Sequence, residues 1–258
     1  MFRVAAAAFL ASAMILQSAP MAGYSARTFS RGDHKMPYRL FVPDARARRQ
    51  PLPLVIWLHG ASGMGEDNKA QISVGGNEFG SRLWVRPDIQ TRYPAFVVAP
   101  QLPVGQTWGL AASEHLTTYG EMVVQLVESL GREFPIDRSR VYLLGQSMGG
   151  IGVWDLISKR PDLFAAAVPL CAAGNTTRIK AAAGVAVWAF HGAADLGMPV
   201  ANTRDMVAAL KAAGGEVKYT EYPDVGHDVW TRAFTEPDLP GWLFSKHKPD
   251  GACPGGVC

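Results

Sequence analysis

The ten residues Val141-Tyr-Leu-Leu-Gly145-Gln146-Ser147-Met148-Gly149-Gly150 constrain the fold more than any other stretch of the chain. An apolar run enters Gly-x-Ser-x-Gly, and helical spacing follows from Gly149 to Lys159. A serine at a sharp strand-to-helix turn is held in a strained conformation with its hydroxyl exposed. Glycines two residues to either side let the neighbouring backbone pass without Cβ clashes. The helix beyond contributes free N–H groups and the positive end of its dipole. The spacing therefore marks Ser147 as a candidate nucleophile, whereas the five-residue pattern without its strand–turn–helix context is an ordinary Gly-rich turn.

The alternation continues along the chain. Strands are expected over Tyr38–Val42, Leu52–Leu58, Ala95–Ala99, Val141–Leu144, Ala165–Leu170, Val185–Phe190 and Val217–Tyr222. LPLVIWL, at Leu52–Leu58, is continuously apolar, as in a strand buried on both faces. Helices are expected over Tyr119–Phe134, Gly149–Lys159 and Thr203–Ala213, the last stopped by Gly214 and Gly215. Thr231–Phe244 reads as a final helix broken by Pro237 and Pro240. Strands alternating with helices imply an α/β fold, a mostly parallel central sheet with helices on both faces. No long insertion suggests a large lid. Ala61–Gln90 is the longest segment without clear periodicity.

A serine hydroxyl needs a base, and an imidazole titrates near neutral pH. In this architecture the chain order is Ser, then Asp or Glu, then His, each in a loop at the carboxyl end of a strand. Val185–Phe190 leads to His191-Gly-Ala-Ala-Asp195, and Val217–Tyr222 leads to Pro-Asp-Val-Gly226-His227-Asp228. Ser147, Asp195 and His227 form the expected catalytic set. Asp224 and Asp228 are weighed as the acid and set aside, because residues this close in sequence to the base rarely orient its ring. His191 is expected to hydrogen-bond the acid loop. His34, His115 and His247 lie in polar segments and are expected at the surface. The turn His59-Gly60-Ala61-Ser62-Gly63 follows an early strand and suits a backbone oxyanion donor. Ala61 is assigned, with Ser62 as the near alternative, and Met148 supplies the second N–H. His59 is expected to pack within the turn. Trp108, in GQTWG, and Trp230, three residues beyond His227, are candidate stacking residues for an acyl or aryl group.

With 258 residues, the chain is long enough for one large domain, and no linker divides it. Hydrophobic content of 48% with 18% charged residues excludes a disordered chain, and a net charge of +3 with no dense basic run argues against nucleic acid as a partner. Arg46, Arg48 and Arg49 read as a solvated loop. Residues 1–23 carry Arg3, an uncharged run from Val4 to Leu16, and small residues at Ser18, Ala19, Ala22 and Gly23. That order describes a secretory signal peptide, and the run is shorter than the roughly 20 residues of a membrane span. The expected location is secreted or periplasmic, without stable membrane association; an uncleaved anchor is the alternative. No Cys follows the run, so no lipid anchor is expected. The catalytic domain is expected over 24–246, with a flexible tail at 247–258. In that tail Cys253 and Cys258 flank Pro-Gly-Gly-Val and could close a small loop. Cys171 ends an apolar run and is expected to be a buried structural thiol.

Six segments carry a family resemblance: LHGASGMGEDN, ID-x-x-RVYLLGQSMGG, WDL around Asp155, PDLFAAAVPLC, WAFHGAADLGMPV and YPDVGHDVW. Over nearly the whole chain beyond the leader, the sequence resembles the α/β-hydrolase superfamily. More narrowly it resembles secreted bacterial esterases of the phospholipase/carboxylesterase-like branch, also labelled predicted peptidases. It is similar to feruloyl esterases and polyhydroxybutyrate-depolymerase-like enzymes. The loop ASGMGE departs from the compact AGERG-like stretch more usual there. The resemblance implies hydrolysis of small-molecule or polymer-borne carboxylic esters on Ser147, Asp195 and His227, with no metal or cofactor. Two other classes are kept beside it: a serine peptidase or amidase on the same residues, and a catalytically silent binding module.

Overall fold

The structure is a computed structural model that describes residues 23–45 and 47–248. All but Gly23 of the expected signal peptide, Arg46, Cys253 and Cys258 lie outside the described residues. Eight strands form one sheet in the order β1-β2-β4-β3-β5-β6-β7-β8. They are β1 (Ser25–Arg31), β2 (His34–Phe41), β3 (Leu52–Leu58), β4 (Phe96–Pro100), β5 (Ile136–Gln146), β6 (Ala166–Leu170), β7 (Ala186–Gly192) and β8 (Val217–Tyr222). β1 and β2 pair antiparallel, as do β2 and β4, and every other pairing is parallel. The fold is the α/β-hydrolase one.

Successive residues of a strand point to opposite faces, so the apolar runs feed two cores. Leu54, Ile56, Leu58, Val98, Leu143 and Val187 face one core, with Met122 and Leu126 of α3 (Thr118–Glu133), Val153 and Trp154 of α4 (Met148–Lys159), and Met206 and Leu210 of α5 (Val200–Ala212). Val55, Trp57, Val97, Tyr142, Leu144, Val168 and Trp188 face the other, with Trp84, Phe234 and Leu243. A strand buried on both sides has no polar face to show, which is why LPLVIWL is unbroken.

Several elements differ from the sequence expectation, among them β1, which carries no apolar run. The final helix is two, α6 (Trp230–Ala233) and α7 (Leu239–Phe244). Pro237 cannot donate into a helix and disfavours helical backbone just before it, while Pro240 sits in the first turn of α7, where its missing N–H costs nothing. The unpatterned stretch after β3 holds α1 (Asn77–Arg82) and begins α2 (Pro87–Arg92), both too short to show a period. α1 lies on the sheet, with Gly80 against the Trp57 ring.

The chain leaves β3 toward β4 on one side and leaves β5 toward β6 on the other. The crevice at the carboxyl ends of β3 and β5 is thus a topological switch point, the place where open parallel sheets bind ligands. At the chain's far end the Lys248 N–H donates to Ser139 O at 2.9 Å and its ammonium to Asp162 O at 2.8 Å, so the described part of the expected tail is held to the body. Among the described residues no helix is long and apolar enough to cross a membrane.

Candidate active site

Ser147 lies between β5 and α4 with φ 53° and ψ −118°, a left-handed conformation that a side chain seldom adopts. Its N–H is tied to Leu170 O at 2.9 Å, and its carbonyl accepts the Ile151 N–H at 2.9 Å. Close packing keeps it there. A Cβ on Gly149 would sit 2.0 Å from Leu58 O, so the helix start rests directly on the end of β3. We expect Gly149→Ala to cost more than about 4 kcal/mol, because rigid backbone on both sides cannot yield. Urea unfolding of the variant checks this.

His227 bridges the set. Its Nε2 lies 2.9 Å from Ser147 Oγ, and its Nδ1 lies 2.7 Å from Asp195 Oδ2. The contacts span 80 and 32 residues of sequence. The loops after β7 and β8 meet at Gly192, where a Cβ would lie 2.2 Å from Val225 O, and the Ala194 N–H donates to Val225 O at 3.0 Å. Asp195 Oδ1 accepts the N–H groups of Gly197 and Met198, each at 2.8 Å. Burial pushes the Asp195 carboxyl up, but the Met198 N–H, the His227 ring and the Gly197 N–H outweigh it and hold it below the usual carboxylate range. Asp224 and Asp228, set aside in the sequence, are exposed, as are His34, His115 and His247.

The expected oxyanion turn follows β3. Ala61 opens a single 3-10 turn, Ala61–Gly63, and Met148 opens α4; a helix's first N–H groups have no acceptor within it. β3 and β5 are in register at Leu58 and Gly145, so the two turns leave the sheet side by side. His59 is wholly buried. The Leu102 N–H donates to its Nε2 at 3.0 Å, so Nδ1 carries the hydrogen and donates to Gly60 O at 2.7 Å. Burial pulls the ring's pKa from 6.5 down to about 4, against the pull of the Gly60 bond. Between those values the unfolded chain binds the extra proton, so stability falls as pH drops from 6.5 to 4, by about 3 kcal/mol. Melting curves at pH 7 and pH 4.5 measure the loss, which His59→Asn should reduce.

Sequence reasoning missed Asn77 and Gln146. Asn77 Oδ1 accepts the Gly60 N–H at 3.0 Å, and its Nδ2 donates to Ser62 Oγ at 3.3 Å and Val74 O at 2.8 Å. Gln146 Nε2 donates to Gly75 O at 2.9 Å. Together they seat the segment 74–77 over the two turns; neither residue carries a sequence signal, since lone amides are common. That segment presents exposed Val74 and the acid loop exposed Leu196, the latter 98% exposed.

The candidate stacking residues separate. Trp230 is half-buried, its ring edge-on to His227 with centroids 5.6 Å apart and its indole against Gly76. Trp108 does not reach the crevice, which corrects the expectation: it is fully buried, donates from Nε1 to His59 O at 3.1 Å, and packs edge-on to the His59 ring. An inward placement buries the large apolar ring and still gives its one polar handle a partner. Cys171 is buried, and burial pushes its thiol pKa up, toward an inert structural group. Its sulfur lies with Asp195 and His227 in a group whose ligating atoms fall within 4.8 Å of one another, the set among the described residues that could hold a metal ion. Two of the three are already committed to each other by hydrogen bonding.

Residues 40–240 match the dienelactone hydrolase family. A thermostable esterase of known crystal structure is similar at 32% identity with a TM-score of 0.83, over 88% of this chain and 64% of that one. The chain thus spans less than two thirds of that esterase's length. A mutant feruloyl esterase module from Clostridium thermocellum, complexed with sinapinate, is 18% identical with a TM-score of 0.64, over 87% of this chain and 88% of that one. An acylaminoacyl peptidase from Pyrococcus horikoshii is 14% identical with a TM-score of 0.62, over 86% of this chain and 41% of that one. The last two share the fold alone. No curated protein matches the chain. Sheet order, strand-to-helix serine turn and family match agree, and the chain belongs to the dienelactone hydrolase family, within the α/β hydrolases.

Proposed function

We propose that the protein is an exported serine esterase that hydrolyses carboxylic esters through an acyl-enzyme. The observation that carries the reading is the His227 ring, in hydrogen-bond contact with Ser147 Oγ on one side and Asp195 Oδ2 on the other. Ser147 Oγ attacks the ester carbonyl as its proton passes to His227 Nε2. Asp195 holds the Nδ1–H tautomer and stabilises the imidazolium. The N–H groups of Ala61 and Met148 receive the developing oxyanion; one such donor contributes about 3 kcal/mol at the transition state. Collapse expels the alcohol, which takes the proton back from His227. Water then attacks the acyl-serine by the same steps, releasing the acid. Val74, beside Gly75, Leu196, next after Asp195, and Trp230, edge-on to His227, give the opening an apolar rim suited to an acyl or aryl group. Export rests on the charge, apolar run and small residues of positions 1–23.

The test is hydrolysis of p-nitrophenyl esters from acetate to decanoate, beside the matching anilide, by protein lacking residues 1–23. Ester turnover with little anilide turnover supports the reading. Anilide turnover of equal rate would point to an amidase, and a folded protein inert to both and to a fluorophosphonate would point to a binding module.

A further inference from the structure

A second buried histidine stands behind the carboxylate of this site. His191 is the last residue but one of β7, and its side chain and that of Asp195 are both 0% exposed. Its Nε2 lies 2.9 Å from Met198 O and 3.3 Å from Asp195 Oδ2. Both neighbours are acceptors only, so a bare Nε2 would point its lone pair at two others; Nε2 must carry a hydrogen. On the other side the Thr203 hydroxyl lies 2.8 Å from Nδ1 and 2.9 Å from Ala172 O, and its single hydrogen goes to one of these two acceptors at a time.

Those bonds close a ring around Asp195. The Met198 N–H donates to Asp195 Oδ1, while the Met198 carbonyl is held by His191. Leu196 at the loop's tip is 98% exposed, so this loop has no apolar anchor there and depends on polar bonds. The charged and titratable groups around the ring are Asp195 and His227, Cys171 after β6, and Glu221, its strand partner on β8. The Glu221 carboxylate is itself engaged by Arg204 and by the Tyr219 hydroxyl. Burial draws the His191 ring toward its neutral form.

We infer that His191 is a positioning residue for Asp195: its Nε2–H locks the acid loop and shares Oδ2 with His227, which makes the set a four-membered Ser-His-Asp-His chain. The inference rests on the esterase reading for its kinetic consequence but not for its geometry. Without the Nε2–H, Oδ2 is a freer, stronger acceptor for His227, and the loop loses its link to β7.

Nitrogen NMR of the histidine rings and kinetics of two variants test it. The wild type should show His191 protonated at Nε2. In His191→Phe, kcat should fall roughly 10²-fold with KM little changed, as misplacement of a catalytic group predicts. The acid limb of kcat/KM should move up by about one pH unit. The downfield proton signal of the His227 Nδ1–H should shift or vanish. His191→Gln, whose amide N–H reaches the Nε2 position, should restore the signal and most of kcat. If H191F does not fold, H191N, with its amide at the Nδ1 position, replaces it. A bare Nε2 in the wild type would overturn the inference. So would a folded H191F with unchanged kcat, pH limb and proton signal, or H191Q as impaired as H191F. If the wild type cleaves no ester, the functional reading falls alone: the proton signal, lost in H191F and kept in H191Q, still decides this one.

Discussion

Replacing Ser147 with Ala is expected to lower kcat for p-nitrophenyl acetate by roughly 10⁴- to 10⁶-fold, since removing the nucleophile leaves only binding and oxyanion stabilisation. Labelling by a fluorophosphonate should vanish with it. The fold should survive, because the hydrogen bond lost is the one from Ser147 Oγ to the partly exposed His227 ring. A companion variant separates chemistry from conformation. At φ 53° the Ser147 backbone is strained for any side chain, and glycine relieves that strain. Ser147→Gly should therefore be equally inactive yet more stable than Ser147→Ala, by about 1 kcal/mol in urea unfolding. Equal stability of the two would remove the claim that the turn stores strain. Residual turnover within a hundredfold of wild type would remove Ser147 from the reaction.

Asp195→Asn should be the second largest effect, a loss of kcat of about 10⁴-fold. An amide at this position offers an N–H where the His227 Nδ1–H needs an acceptor, and so favours the wrong tautomer. It also alters the acid stability of the protein. The Asp195 carboxyl is held below its ordinary value of 3.8 in the folded chain, so its contribution is present above that value and is lost as pH falls through the lower, folded one. Melting temperatures of wild type and variant should therefore converge in strong acid, draw apart as pH rises toward 3.8, and keep their full separation above about pH 5. A constant gap across that range would mean the carboxylate's charge plays no part in folding.

How much of the fold is legible in the sequence depends on range. Patterns set by neighbouring residues can be read directly: LPLVIWL as β3, the helical spacing of α3, and the turn at Ser147. β1 cannot, because its burial alternates between exposed and half-exposed and its place is set by pairing across the Gly32 turn with β2. α1 and α2, six residues each, are shorter than two helical turns and so show no period. α1 is held by its packing on Trp57 and the sheet, not by propensity.

The site divides along the same line. Chain order and strand ends mark Ser147, Asp195 and His227 in the sequence, because the chemistry demands those residue types at those places. Trp108 and Trp230 look alike there, two aromatics on loops of the same face. Only the tertiary structure turns one inward onto His59 and leaves the other beside His227. The same holds for Asn77 and Gln146, whose partners Gly60 and Gly75 lie 17 and 71 residues away. A side chain's direction is decided by which neighbours the fold brings to it and which polar atoms they leave unpaired, and a one-dimensional pattern does not contain that information.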